Sequence, residues 1–393
     1  MPEITHAEAI ARARKVGAAV RENAAAVEKL RRLPRENVAA MEESDLIGLI
    51  IPKERGGYGI DSWVWVADVV GEVGRVCGAS GWCFDLLIHH HWVLGMFPGE
   101  AQDLVYKTDK RAKIGTSFMP TGRATPASGG FRVTGEWQYS SGIDNSDWAI
   151  LGATVPSDKG PPDIRFVLFG PGEFKVKDTW NAMGLKGSGS NNAVVSDVFV
   201  PEERSLRMAD FASGRAPGTK VNNGVMFREP GFTAFSFGIL CPMLAIARGA
   251  LDAFIAFNKN RSAGLGRDPT LQIINAQRVA GEAAAEIDAA YLLTKDNDEK
   301  LRLGLPGGEA DAQAIRRNFT LASRLALRAV DRLYEITGAR GIMEEQAIQR
   351  FWRDAHAAGH HVAWGLDHTY VETGAYLLGI PVPGAARPGA GGH

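Results

Sequence analysis

Residues 272–297 and 310–338 are two long Ala-, Leu- and Arg-rich stretches with apolar residues at helical spacing, separated by a breaker, Gly304-Leu305-Pro306-Gly307-Gly308. An apolar stripe at three- and four-residue intervals has to be buried against a partner. Two such stripes joined by a short loop bury each other as antiparallel neighbours, so this end of the chain is committed to a helical bundle. Arg316, Arg317, Arg324, Arg328 and Arg332 fall on the polar face of the second helix. The uncharged run 230–247 contains Gly231, Gly238, Pro242 and several hydroxyls. It is short for a bilayer and reads as a core helix of the same bundle rather than a membrane span.

The rest of the chain changes texture twice. Residues 6–33 are Ala-rich with helical periodicity, Leu33-Pro34 breaks the pattern, and Pro34 suits the first turn of a new helix. Gly56-Gly57-Tyr58-Gly59 is a loop, and 63–76 is helical again. Between residues 114 and 200, short β-rich runs such as Arg165-Phe166-Val167-Leu168-Phe169 alternate with Gly/Pro/Asp/Ser clusters, the pattern of an antiparallel β domain. Gly129-Gly130 reads as a hairpin turn, and Val198-Phe199-Val200-Pro201 as a strand ending at proline. The expected layout is α+β: an N-terminal helical domain (1–110), a central antiparallel β domain (111–225), a C-terminal helical bundle (226–380) and a disordered Pro/Gly/Ala tail (381–393).

Composition removes several function classes. Lys+Arg 44 against Asp+Glu 45 leaves a net charge of -1. Nucleic-acid binding calls for a basic surplus, so no such role is expected. Cys77, Cys83 and Cys241 are too few and too scattered for a disulfide framework or a cysteine zinc site. The first residues carry no apolar signal region, so the expectation is a soluble cytoplasmic protein with no membrane partner.

The block order and several motifs resemble the acyl-CoA dehydrogenase superfamily. Leu33-Pro34-Arg35-Glu36-Asn37-Val38, Gly48-Leu49-Ile50-Ile51-Pro52 and Glu54-Arg55-Gly56-Gly57-Tyr58-Gly59 are similar to its N-terminal signature, and Arg350-Phe351-Trp352-Arg353-Asp354 to its "R-x-x-R-D" stretch. Two further motifs resemble the two-component flavin-dependent monooxygenase branch. Trp137-Gln138-Tyr139-Ser140-Ser141-Gly142 is similar to "W-x-x-S-S-G". Asp178-Thr179-Trp180 with Gly184-Leu185-Lys186-Gly187-Ser188-Gly189-Ser190 is similar to "D-T-W … G-L-R-G-T-G-S". The similarity runs from about residue 10 to residue 380. It implies a flavin between the β domain and the bundle, and a homotetramer.

An absence separates the two branches. The dehydrogenases abstract a proton with a glutamate, placed either after "R-D" or in the first bundle helix. Here Asp354 is followed by Ala355-His356-Ala357-Ala358-Gly359-His360-His361, and Gly249-Ala250-Leu251-Asp252-Ala253 offers no matching glutamate. Arg261, from a degraded "R-x-x-F-G", could pair with the flavin phosphate or serve an interface ion pair.

The resemblance therefore implies an oxygenase component. It would take reduced FMN or FAD from a separate NAD(P)H-dependent flavin reductase, because no G-x-G-x-x-G follows a predicted strand. With O₂ it would form a C4a-hydroperoxide that hydroxylates a small aromatic, phenolic substrate. N- or S-oxygenation stays open, as does an acyl-CoA dehydrogenase-type reaction. The resemblance places His361 beside the flavin as a base for the phenol, with His360 as the register alternative. Histidines at 356, 360 and 361 could also bind a metal, a lesser reading because no carboxylate or cysteine stands at fixed spacing, so no metal is assigned. In His89-His90-His91-Trp92 the resemblance gives one histidine a substrate contact, His91 preferred over His90. Ser141, with Ser140 as alternative, would stand near the flavin N5. Trp137, Trp180, Ser188, Gly189 and Ser190 complete the cofactor set, the last three as a Gly-rich phosphate loop.

Overall fold

The structure is a computed structural model that describes residues 3–157, 160–259, 269–304, 308–364 and 366–381. Arg261, residues 305–307 of the bundle loop and the tail from 382 lie outside the described residues.

Five helices come first: α1 (His6–Leu30), α2 (Arg35–Glu43), α3 (Trp63–Gly74), α4 (Gly78–Gly95) and α5 (Gly99–Thr108). A capping box starts α1. The Thr5 hydroxyl accepts the Glu8 N–H at 3.2 Å, and the Glu8 carboxylate accepts the Thr5 N–H at 2.8 Å. Ala9, Ala13, Val16, Val20, Ala24 and Val27 form its buried stripe. The fourth helix is of another kind, because every residue from Gly78 to Gly95 is buried. Such a helix lies inside a core and shows no polar face.

The sheet has seven strands: β1 (Ile114–Ala127), β2 (Gly130–Ser140), β3 (Trp148–Val155), β4 (Asp163–Phe169), β5 (Lys175–Lys177), β6 (Asn191–Pro201) and β7 (Ser205–Arg207). Their order is β5-β6-β2-β1-β3-β4-β7. The hairpin turn falls where expected, with Ala127 opposite Gly130 and Gly129 at φ 77°. The sheet, however, is mixed rather than antiparallel. β1 and β3 run parallel, from Ile114 opposite Trp148 to Ser117 opposite Leu151. The reason is topological: β2 returns the chain toward the start of β1, and residues 141–147 carry it to the free edge there. That crossing loop stays at one end of the sheet, beside α4.

After the short α6 (Met208–Ala212) comes the bundle: α7 (Gly231–Lys259), α8 (Pro269–Arg302), α9 (Glu309–Glu335), α10 (Ala347–Gly359) and α11 (Leu366–Leu378). α8 and α9 are the two long helices read from the periodicity. They are tied by Asn318 Nδ2 to Asn297 Oδ1 at 3.0 Å, and Arg328 and Arg332 both reach Glu286, at 2.7 and 3.0 Å. α7 is long and apolar enough to cross a membrane, but 67% of its most apolar window is buried, and it packs on α3, α4, α9 and α10.

Glycines let α3, α4 and α7 approach closely. A Cβ on Gly81 would sit 2.2 Å from the Gly74 Cα, and one on Gly74 would sit 2.6 Å from the Ala245 Cβ. Gly81→Ala is therefore expected to destabilise the protein by about 1–3 kcal/mol through overpacking, read as a lowered midpoint in thermal or urea unfolding.

Candidate active site

The α4 stripe meets three other elements at one place. Trp82 donates its indole N–H to Ser141 Oγ at 3.1 Å, and its ring lies 6.0 Å from that of His361. Ser141 Oγ is 2.7 Å from Ser190 Oγ, which is 2.7 Å from Ser188 Oγ. Three hydroxyls thus share two mutual bonds, and one O–H is left to donate to an outside acceptor. Ser140, the neighbour of Ser141, points the other way. Its hydroxyl is fully buried with no partner among the described residues, packed toward Gly115.

The strand and loop around this hydroxyl chain are held rigidly. Asn191 Oδ1 accepts the backbone N–H groups of Thr179 and Trp180, both at 2.9 Å, and its amide donates to Asp144. Trp180 donates to the Leu185 carbonyl at 3.0 Å and presents its ring to Tyr139, 5.4 Å away. Tyr139 is 60% exposed, so this aromatic pair opens to solvent beside the serines.

The "R-D" stretch proves to be a clamp. Asp354, at the C-terminal half of α10, is buried and accepts the Leu185 N–H at 2.6 Å. Burial raises its carboxyl to about 6. Arg353 bonds to the Met183 carbonyl at 2.8 Å, to Gln349 and to Glu28 of α1. One dipeptide therefore fastens the 183–190 loop to both helical domains. Asp354 therefore serves the loop through its Oδ1.

The histidines at the end of α10 diverge. His356 Nε2 meets Asp331 at 2.8 Å, and His360 Nδ1 donates to the His356 carbonyl at 2.8 Å on the exposed side. Only His361 turns into the site, against Trp82 and Phe235. No group of three or more metal-ligating residues occurs among the described residues. His361 Nδ1 accepts the Ala363 N–H at 3.1 Å, which leaves the ring proton of the neutral imidazole on Nε2. Burial depresses its pKa to about 4. The expected base is thus, in this geometry, a neutral Nε2–H donor.

The second histidine cluster also sorts itself. His90 bridges the Ile114 carbonyl (2.5 Å) and the Thr116 hydroxyl (2.9 Å), pinning α4 to β1. His91 bonds and stacks with Tyr106 on the α5 side. Neither turns toward His361. His89, the cluster member not preferred from the sequence, is linked to it through Phe235. Its ring lies 5.6 Å from Phe235, whose ring lies 6.2 Å from His361. The available signal was spacing: Trp82 and His89 are seven residues apart, two helical turns along one stripe. Trp137 is corrected in the other direction. It is fully buried in the sheet core, with its N–H on the Gly152 carbonyl at 2.5 Å and its ring over Gly122 and Gly135, so it offers no face to a ligand.

The chain matches the acyl-CoA dehydrogenase N-terminal domain over residues 5–102 and the acyl-CoA dehydrogenase C-terminal domain over residues 237–365. It is 33% identical to a flavin-dependent monooxygenase oxygenase subunit, HsaA, of Rhodococcus jostii, over 92% of this chain and 96% of that one. The chain belongs to the acyl-CoA dehydrogenase superfamily, in its flavin-dependent monooxygenase branch. An FADH₂-dependent resorcinol hydroxylase oxygenase component of a Rhizobium strain is 32% identical, over 96% of each chain. The solved 3-HSA hydroxylase of Rhodococcus sp. RHA1 superposes with a TM-score of 0.87 at 32% identity, covering 95% of this chain and 98% of that one. XiaF from Streptomyces, solved with FADH₂ and glycerol, gives 0.84 at 25% identity, covering 97% and 98%.

The clamp makes a testable claim. Asp354→Ala leaves the buried Leu185 N–H unpaired and is expected to cost about 1–3 kcal/mol of stability and to weaken reduced-flavin binding. Asp354→Asn keeps an acceptor and should retain most of both, as thermal unfolding and anaerobic flavin titration will report.

Proposed function

We propose that this protein is the oxygenase component of a two-component system that hydroxylates a small phenolic aromatic with O₂ and reduced flavin. The observation that carries the reading is the meeting of Trp82, Ser141 and a neutral His361, with no carboxylate in the dehydrogenase position.

The residues present fit a flavin. Ser141, Ser188 and Ser190 supply the spare hydroxyl donor, and Trp180 and Tyr139 an open aromatic edge. The N–H groups of Ser188 and Gly189 are already bonded to the Leu185 and Lys186 carbonyls, so the phosphate contact expected of this loop would fall to its hydroxyls. Reduced flavin, when bound, supplies two electrons to O₂, so that one oxygen atom can reach the substrate and the other leave as water. The protein's own groups do the rest. Trp82 orients the Ser141 hydroxyl. His361 holds its proton on Nε2 and donates a hydrogen bond to oxygen at the reacting edge. His89, buried and kept neutral, has no hydrogen-bond partner on either ring nitrogen among the described residues and can accept a hydrogen bond from the phenol hydroxyl. Trp63, Trp92 and Phe235 pack on the His89 ring and Phe118 on Phe235, which keeps water from this side.

FMN and FAD suit this cradle equally. Reduced flavin would come from a separate reductase, as the sequence holds no dinucleotide fingerprint. The homotetramer is supported by the apolar side of α11, where Val371, Leu377 and Leu378 are 50%, 70% and 73% exposed and need a second copy to cover them. Three buried free thiols suit the cytoplasm.

Mixing protein and reduced FMN or FADH₂ with oxygenated buffer in stopped flow is expected to alter the course of flavin reoxidation and to yield hydroxylated phenol. Reoxidation identical to free flavin, with no product, would sink the reading. His361→Ala should lower product formation by about 10²-fold or more while flavin oxidation continues and ends in H₂O₂. The pH profile adds a sign. A group with pKa about 4 stays in its base form above that value, so product formation should show no limb near the ordinary histidine value of 6.5 from His361.

A further inference from the structure

Asp85 stands on α4 between Trp82 and His89, three residues after one and four before the other, so all three share one stripe of the helix. Both ends of that stripe reach the His361 wall, Trp82 directly at 6.0 Å and His89 through Phe235. Asp85 is fully buried, and neither of its oxygens has a hydrogen-bond partner among the described residues. The same holds for both nitrogens of His89. Four unpaired polar atoms one turn apart in a closed aromatic setting are a costly arrangement in a folded chain.

The facing helix comes close enough to press on the His89 ring. A Cβ on Gly238 of α7 would come within 2.6 Å of His89 Nδ1, so only glycine leaves room for the ring. Pro242 has no N–H, which deprives the Gly238 carbonyl of its regular helical donor at the same level. A carboxyl and an imidazole thus stand without partners inside an apolar wall, against a helix turn that lacks one backbone donor.

We propose that Asp85 is the specificity residue of the substrate pocket, donating a hydrogen bond to the aromatic hydroxyl whose own proton His89 accepts. The proposal rests on the oxygenase reading above. Burial raises the Asp85 carboxyl well above its usual range and keeps His89 neutral, so the acid carries a proton to give and the imidazole a lone pair to receive one. A hydroxyl is the group that answers both at once. A methyl ether can accept from Asp85 but has nothing to give His89, and a bare ring leaves both unpaired. Phe235 touches the His89 and His361 rings, so one aromatic ring laid along it would put its hydroxyl at the deep end and its reacting edge under His361.

The test compares Asp85→Leu, Asp85→Asn and the wild type with phenol and with toluene, a ring that has no oxygen to accept from Asp85. Binding is followed by tryptophan fluorescence in the anaerobic protein with reduced flavin, and KM and kcat for phenol by product. Asp85→Leu is expected to weaken phenol binding and raise its KM about 10-fold or more, leave toluene binding no weaker, and hold or raise the melting temperature, because an unpaired buried carboxyl is removed. Asp85→Asn keeps an N–H donor and should restore phenol binding to within a few-fold. Unchanged phenol binding in Asp85→Leu would overturn the proposal, as would an equal loss for phenol and toluene together with a lowered melting temperature, the mark of a merely structural role. A wild type that binds phenol in this Asp85-dependent way yet forms no product would defeat the oxygenase reading and leave the binding role standing.

Discussion

Every side chain of α4 is buried, so each polar group it carries must find a partner inside the protein or stand ready for one. That constraint arranges the site. His90 finds β1, His91 finds Tyr106 and Trp82 finds Ser141. Each of these bonds fixes the rotation of the helix about its axis. With the rotation fixed, His89 is set against Gly238 of α7, and Asp85 and His89 are left without partners among the described residues. The close glycine contacts of α3, α4 and α7 then set how near these helices come to one another.

The two halves of the site have different physical origins. The side proposed for the flavin is made of sheet ends and loops, which need outside support for their shape. Asn191, Arg353 and Asp354 give that support, tying residues 178–190 to the sheet and to both helical domains. The side proposed for the substrate is made of helices packed on helices, which hold their shape through close packing and offer few polar groups. The halves touch at Trp82, whose indole N–H serves the serines while its ring borders His361.

Much of this was legible in the sequence. The long stripes of α8 and α9 and the Gly129-Gly130 turn follow from local periodicity and backbone chemistry, and they stand where those predict. The motifs around Ser141, Ser188-Gly189-Ser190 and Asp354 also converge in space, as the resemblance implied. What was not legible depends on contacts between distant segments. The parallel pairing of β1 with β3 arises from which sheet edge was still free, and short strand patterns carry no record of that. Trp137 sits in a motif beside the serines, yet alternation along β2 sends it into the sheet core. The choice among His89, His90 and His91 was a question of helix rotation, and three adjacent identical residues leave local pattern nothing to discriminate.

The surroundings of a histidine decide which hydrogen bonds it can make. A histidine beside a flavin suggests a base, and an unperturbed imidazole would serve as one. Here the Ala363 N–H occupies Nδ1 and burial suppresses protonation, so the ring is fixed as a donor through Nε2. His89 is buried as well, and burial disfavours its charged form too, so neither ring is a strong base and both serve as neutral hydrogen-bonding groups. On His361 the lone pair is held by the Ala363 N–H, so that ring has only its Nε2–H to offer. His89 adds a second neutral imidazole whose lone pair no described residue engages, and Phe235 packs against both rings.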